Sequence, residues 1–358
     1  MTKKQVLRAV AFFLAFAVMI VVLCDLFEEE NTRNSSKRFC MLRSFEEDTV
    51  DVVFVGSSGM DRFWIPSQAY EKYGITSYPV STNSMPVFLY IELLEEVLAY
   101  QNPELLIIDI RPFTQDCNKA NKMDSNARIL LDVMTPFSAN RIKAGIRTLE
   151  AIESVDPSYS SDLSMFLSFI KFHSRWEEDS YSVKNNLGEV KHEYLGFFVT
   201  KLNSIKKTPM KTKPYDMELT EPLVPLAENT LYELIDYIKE KELNVLFLDT
   251  PQNRNEIDVG RSNQVYKILE EEKQNYIHYY TEDNSTGIST EFGFIFETDF
   301  YDSGHTNFYG ATKFTEVFSA YLDENYDLAD RRNDPDIAKD WDGVHEKLLN
   351  KIKDFENN

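Results

Sequence analysis

Two short motifs far apart in the chain contain the residue types of a serine nucleophile, its base and an acid. The first is the turn Gly56-Ser57-Ser58, and the second is an aspartate with a histidine three residues later, Asp302 and His305. A hydroxyl, an imidazole and a carboxylate that orients the imidazole are the groups needed for covalent acyl transfer. Because the chain has only 5 histidines in 358 residues, a histidine in this position is informative.

Each motif also has a purely structural interpretation. Serines are common in tight turns and at helix N-termini, so Ser57 and Ser58 alone would favour a turn with a helix cap. Asp302 and Asn307 could equally form a local turn and cap the helix that follows. The pair together favours catalysis, because both motifs are expected where the strands of a sheet end, and their chemistry is complementary.

Alternating strands and helices are expected to position the two motifs. Four short apolar runs predict buried parallel strands: Val52–Val55, Ile75–Ser81, Leu105–Ile110 and Asn244–Asp249. Intervening stretches predict helices: 60–73, 87–100, 227–242, 265–272 and 307–326. This alternation predicts an α/β fold with a doubly wound, mostly parallel sheet, in which ligands bind at the carboxyl ends of the strands.

The N-terminus has the pattern of a single membrane anchor. Basic residues precede an uncharged apolar run, and Glu28–Glu30 follow it. We expect a cytoplasmic tail at residues 1–8, a transmembrane helix at 9–27 and a stalk at 28–50, with the remaining chain on the extracytoplasmic side of the cell membrane. A cleaved signal peptide and a lipid-modified Cys24 are the alternatives.

The main α/β domain is expected at residues 51–326. A largely helical insertion at about 112–225 interrupts the alternation, with helical stretches predicted at 139–152 and 163–172. Residues 327–358 are predicted to be an acidic, polar tail.

Composition excludes several classes of function. The formal net charge of −21 argues against nucleic acid as a partner, because phosphate binding needs a basic face. Histidines and cysteines lack zinc-site spacing and no glycine-rich phosphate loop is present, so we expect neither a metal nor a cofactor. Cys40 and Cys117 could form a disulfide, although two free thiols are the favoured interpretation.

The two motifs resemble the first and last sequence blocks of the SGNH/GDSL hydrolase superfamily. The turn that contains Ser58 is similar to the first block, with Ser57 where many members have aspartate, and residues 302–310 are similar to the last block. The resemblance implies a flavodoxin-like three-layer α/β/α fold. It also implies that Ser58 is the nucleophile, His305 the general base and Asp302 the acid that orients the base.

Two middle blocks of the family usually supply donors to an oxyanion, a glycine N–H and an asparagine side chain. Ser81 stands where the glycine is expected, and the nearby Asn83 could supply the side-chain donor, unless backbone amides alone form the oxyanion hole. Arg111 follows a predicted strand where the third block would supply its asparagine. Arg111 and Gln252 each lie just beyond a predicted strand and are therefore candidates for contact with substrate.

The resemblance is strongest for membrane-anchored extracytoplasmic members, such as the teichoic-acid D-alanylation and alginate O-acetylation proteins. It implies a serine esterase or O-acyltransferase that acts on acyl, especially acetyl, esters of a cell-surface glycan or acylated polymer, beside a membrane-bound O-acyltransferase. The imperfect middle blocks motivate an alternative hypothesis, a non-catalytic surface scaffold or glycan-binding partner of such an acyltransferase. Water and a sugar hydroxyl are equally suitable acceptors for the same triad.

Overall fold

A five-stranded parallel sheet forms the centre of the protein in the computed structural model. The structure describes residues 2–27, 39, 41–135, 137–159, 163–178, 193–199, 202, 215–282 and 288–357. The strands are β1 (Val52–Ser57), β2 (Ser77–Thr82), β3 (Leu105–Asp109), β4 (Val245–Asp249) and β5 (Asn275–His278). They lie in the order β2-β1-β3-β4-β5 and every neighbouring pair is parallel. The predicted α/β fold with a parallel sheet is confirmed, and this order is the one found in flavodoxin-like sheets.

The first four strands match the four predicted ones, because each is a continuous buried run. Every residue of β1, β2, β3 and β4 is buried, as expected for strands covered on both faces. β5 was not predicted. It lies at the edge of the sheet, is short and partly exposed, and its sequence Asn-Tyr-Ile-His has no apolar run.

Helices connect the strands and cover the sheet. In chain order they are α1 (Lys3–Leu26), α2 (Met60–Phe63), α3 (Pro66–Tyr73), α4 (Tyr90–Leu98), α5 (Arg111–Thr114), α6 (Ala120–Val133), α7 (Ala139–Val155), α8 (Ser168–Phe172), α9 (Pro225–Glu240), α10 (Glu256–Glu271), α11 (Phe296–Asp299), α12 (Phe308–Asn325), α13 (Pro335–Trp341) and α14 (Val344–Glu356). α2 and α3 divide the stretch predicted over 60–73, because Pro66 fits the first turn of a helix but not its interior.

The predicted insertion at 112–225 is helical over much of the part that the structure describes. α6, α7 and α8 lie within it. α7 covers the predicted stretch 139–152, whereas α8 covers only the second half of the predicted stretch 163–172, after a short 3-10 turn at Leu163–Met165. The lysine- and proline-containing stretch 204–214 lies outside the described residues.

The packed domain extends beyond residues 51–326 at both ends. Phe39, Leu42 and Phe45 belong to the hydrophobic core, although they fall in the segment 28–50 expected as a stalk. At the other end, α13 and α14 lie in the segment expected as a polar tail, and their inward side chains join the packing. Trp341 of α13 is 2% exposed and stacks on the Phe45 ring at 5.8 Å.

α1 is long and apolar enough to cross a membrane over Lys3–Cys24, and none of that stretch is buried. An N-terminal helix of this kind is either a membrane anchor or a signal sequence. Residues 28–38 and Cys40 lie outside the described residues. Cys117, considered above as a partner for Cys40, is a free, half-buried thiol, and its burial raises its pKa to about 11.

Candidate active site

Ser58, His305 and Asp302 meet beyond the carboxyl end of β1. Ser58 Oγ is 2.8 Å from His305 Nε2, although the two residues are 247 positions apart in the sequence. His305 Nδ1 lies 2.9 Å from each carboxylate oxygen of Asp302. A hydroxyl, an imidazole and a carboxylate in this order, all within hydrogen-bonding distance, have the geometry of a Ser-His-Asp triad.

The turn after β1 separates the two adjacent serines. Ser57 donates from its backbone N–H and its hydroxyl to Asp109 Oδ2, at 3.1 Å and 2.5 Å, so its side chain is held inside the sheet. Gly56 makes this contact possible, because a Cβ at that position would lie 2.3 Å from the Cβ of Asp109. The hydroxyl of Ser58 is consequently the one that faces the histidine.

A tight loop over residues 300–306 holds the acid and the base. An antiparallel bridge closes the loop, and Tyr301 donates its backbone N–H to the His305 carbonyl at 3.1 Å. The Tyr301 ring stacks on the imidazole with centroids 5.6 Å apart. Gly304 donates its backbone N–H to Asp302 Oδ1 at 2.8 Å, so the carboxylate is fixed by the loop backbone as well as by the histidine.

The residues of this motif also form the local turn and the helix cap that the structural interpretation predicts. Asn307 is the N-cap of α12, where its Oδ1 accepts from the backbone N–H groups of Tyr309 and Gly310. Asp302 forms the local turn described above. The structural and catalytic interpretations of the motif are therefore compatible. The residues that shape the loop and begin the helix also position the histidine.

The electrostatics of the site favour a neutral imidazole beside a charged carboxylate. Burial lowers the pKa of His305 below its usual 6.5, and the charges of Arg111 and Arg62 lower it further, against an opposing effect of Asp302. Burial alone would raise the pKa of Asp302, but hydrogen bonds from His305 and Gly304 outweigh it and the net pKa is lowered. At neutral pH the imidazole is thus free to accept a proton.

Arg111 and Gln252, both predicted to contact substrate, lie beside the triad. Arg111 begins α5 two residues after the end of β3, and its Nη2 donates to Thr250 Oγ1 at 3.2 Å and to the Gly304 carbonyl at 2.8 Å. Gln252 follows β4, and a methyl group on Gly304 would lie 3.7 Å from its Oε1. The loop that carries the histidine is therefore close to both side chains.

Ser81 and Asn83, the candidate oxyanion donors near the end of β2, lie in different positions. Ser81, expected to supply a backbone N–H in place of the family's glycine, lies inside β2, fully buried and in register with Gly56. Asn83 is the second residue after Ser81, just past the end of the strand, and its buried Oδ1 has no hydrogen-bond partner among the described residues. Of the two residues, only Asn83 is therefore placed beyond the strand end, where a side-chain donor to an oxyanion was expected.

A cleft with a volume of about 160 Å³ lies at the same edge of the sheet, between the segments that follow β2 and β3. Its lining includes the apolar side chains of Met85, Phe88 and Met123 and the cations Lys119 and Lys122. The serine of the triad is not among its lining residues. This cleft was not predicted, because its walls come from segments that are distant in sequence and carry no motif.

Two further residues of the site were also missed. Arg62 donates from Nη1 to the Ser58 carbonyl at 3.1 Å and to Asp61 Oδ1 at 2.8 Å, while its guanidinium lies over the Phe198 ring. Tyr301 stacks on the histidine as described. The only available signal was spacing: Arg62 stands four residues after Ser58, and Tyr301 directly precedes Asp302.

Comparison with known proteins adds no family assignment. No protein-family model matches the chain, and a search of curated proteins gives no match. Within the described residues, no cluster of three or more histidine, cysteine, aspartate or glutamate side chains could hold a metal ion. The function must therefore be argued from the geometry of the site.

Proposed function

We propose that the protein is a serine esterase or O-acyltransferase of the SGNH type. The observation that carries this proposal is the continuous contact from Ser58 Oγ to His305 Nε2 at 2.8 Å and from His305 Nδ1 to Asp302 at 2.9 Å. Two observations support it. The lowered pKa of His305 keeps the base neutral, and the nucleophile follows the carboxyl end of β1, where open α/β sheets bind their ligands.

The mechanism proceeds through an acyl-enzyme. His305 Nε2 accepts the Ser58 hydroxyl proton as the oxygen attacks the ester carbonyl, and Asp302 stabilises the imidazolium that forms. The same proton passes to the leaving alcohol. His305 then activates an acceptor hydroxyl, which releases the acyl group. Water as acceptor gives hydrolysis, and a sugar hydroxyl gives acyl transfer.

We further propose that the site works on acyl esters of a cell-surface glycan or polymer, outside the cytoplasm and next to a membrane-bound O-acyltransferase. The support for this location is α1, which can anchor the chain, together with the resemblance of the two motifs to anchored SGNH proteins. We propose acetyl as the acyl group, as the resemblance implies.

The first test is ester hydrolysis by the full-length chain in detergent, with p-nitrophenyl acetate as substrate. Ser58→Ala should lower kcat by about 10³-fold or more, because the nucleophile is lost. Ser57→Ala is the matched control. It removes a hydroxyl that points to Asp109 rather than to the base, so hydrolysis should persist. Hydrolysis that is unchanged in Ser58→Ala would contradict the proposal and favour the non-catalytic scaffold.

A further inference from the structure

Arg111 is a buried cation that has no acidic partner in the described part of the chain. The residue is 6% exposed, and its guanidinium forms no ion pair with a carboxylate among the described residues. Nη2 donates to Thr250 and Gly304, whereas the buried Nε has no hydrogen-bond partner and Nη1 makes no hydrogen bond in the described part of the chain. Asp109, the nearest acid along the chain, directs its oxygens to Ser57 and to the backbone N–H of Arg111.

Other arginines of similar burial in this protein are paired. Arg128 is 5% exposed and forms an ion pair with Asp124 at 2.9 Å, and Arg141 is 7% exposed and pairs with Asp132 at 3.0 Å. Burying a guanidinium without a counter-charge costs free energy. An unpaired buried charge beside groups suited to catalysis is typical of a functional site.

The guanidinium of Arg111 lies close to the residues that flank Ser58 and His305. A methyl group on Gly59, the residue after the nucleophile, would lie 3.3 Å from Cζ and Nη2 of Arg111. On the other side, Nη2 contacts the carbonyl of Gly304, the residue before the base. The guanidinium thus lies between the two halves of the triad, and its charge is felt there, since it contributes to the lowered pKa of His305.

We propose that Arg111 is a catalytic residue whose unpaired N–H groups stabilise the oxyanion formed during acyl transfer, an inference that rests on the proposed function. As Ser58 Oγ bonds to the carbonyl carbon, its proton moves to His305 and the carbonyl π electrons move to oxygen. Arg111 donates to that negative oxygen. When the carbonyl reforms, the bond to the leaving alkoxide breaks and the alkoxide takes the proton from His305. A cation thereby replaces the neutral amide donor expected after β3.

The test compares Arg111→Gln, Arg111→Lys and Arg111→Ala with Arg332→Gln, a control at an exposed arginine paired with Asp330. With uncharged p-nitrophenyl acetate, Arg111→Gln should lower kcat by about 10²- to 10³-fold with little change in KM, as for loss of an oxyanion donor. Arg111→Lys should recover part of that loss. Added guanidinium ion should restore part of the kcat of Arg111→Ala, and Arg332→Gln should match the wild type.

Thermal unfolding and a pH profile separate catalysis from structure. Arg111→Gln should remain folded, and the acidic limb of its kcat/KM profile should move to higher pH, because a charge that lowers the His305 pKa is gone. An unchanged kcat would overturn the inference. So would a loss seen only in KM, or only with the anionic p-nitrophenyl succinate, since either would make Arg111 a substrate-binding group.

Failure of the proposed function gives a different result. A wild-type chain that neither hydrolyses the ester nor reacts with a fluorophosphonate would overturn both proposals together. A wild-type chain that is active while Arg111→Gln is equally active would overturn only the role of Arg111.

Discussion

Ser57 and Ser58 are adjacent and chemically identical, yet the structure gives them different partners. Ser57 is 3% exposed and donates to Asp109, whereas Ser58 contacts His305. The residue types of the triad could be selected from the sequence, because a rare histidine follows an aspartate. Only the family resemblance distinguished Ser58 from Ser57. Side chains alternate in direction along a strand, but the sequence does not show which of the two hydroxyls points away from the sheet toward the histidine.

Replacement of the acid tests the order of the triad. In Asp302→Asn the amide can still occupy the carboxylate position, but it no longer stabilises the imidazolium and it favours the wrong tautomer. We expect kcat for ester hydrolysis to fall by about 10⁴-fold. A fall of less than about tenfold, measured with the protein still folded, would show that Asp302 does not act through His305.

The pH dependence of hydrolysis follows from the environment of His305. In the proposed mechanism the neutral imidazole is the general base, so kcat/KM should fall as pH decreases through its pKa. Since burial and two arginines place that pKa below 6.5, hydrolysis at pH 6.5 should exceed half of its maximum and should fall below half only under more acidic conditions. A profile of kcat/KM from about pH 4 to about pH 9 measures this, and an acidic limb centred above about pH 7 would contradict the assignment.

At the scale of the elements, the close approach of β1 and β3 determines where Ser58 lies. Both strands end at the same edge of the sheet, and the Asp109 carboxylate bridges the turn after β1 to the start of α5.

Four buried strands could be predicted, because their apolar runs are continuous. The contact between Ser58 and His305 could only be inferred, since it depends on how residues 300–306 fold back over the sheet.

Gly56→Ala tests this close approach. The new Cβ would lie 2.3 Å from the Cβ of Asp109, so β1 and β3 must separate or the turn must move. We expect a loss of unfolding free energy of about 3 kcal/mol, together with loss of hydrolysis. Gly293→Ala is the control, because its Cβ meets nothing within 4 Å and only the positive φ of 55° opposes it. Equal stability of the two variants in chemical denaturation would refute the packing argument.

At the scale of the whole molecule, segments on both sides of residues 51–326 take part in the packed domain. They are residues 39–45 and the helices α13 and α14. The C-terminal segment looked like a polar tail, because its few apolar residues are spread among charges. Ile337, Trp341 and Leu348 nevertheless face inward. Arg331 also contacts Asp51, next to β1, at 2.6 Å. The average composition of this segment is polar, and it therefore does not reveal the few apolar side chains that form a narrow buried stripe on the helices.

Trp341→Ala tests whether the C-terminal helices stabilise the domain. Trp341 is 2% exposed and lies 5.8 Å from the Phe45 ring and 5.3 Å from the Tyr70 ring, so its removal leaves a cavity in the core. We expect a loss of about 3–5 kcal/mol in unfolding free energy. Trp176→Ala, at a side chain that is 63% exposed, should change stability by less than about 0.5 kcal/mol. Similar losses in the two variants would contradict the described packing.

The proposed function requires that folding turn Ser58 into a nucleophile activated by His305. Its most direct test is covalent labelling of the full-length chain with a fluorophosphonate, followed by peptide mass spectrometry. We predict one adduct on Ser58, none in Ser58→Ala, and strongly slowed labelling in His305→Gln. An unlabelled wild-type chain, or an adduct that forms on Ser57 or persists in Ser58→Ala, would contradict the claim.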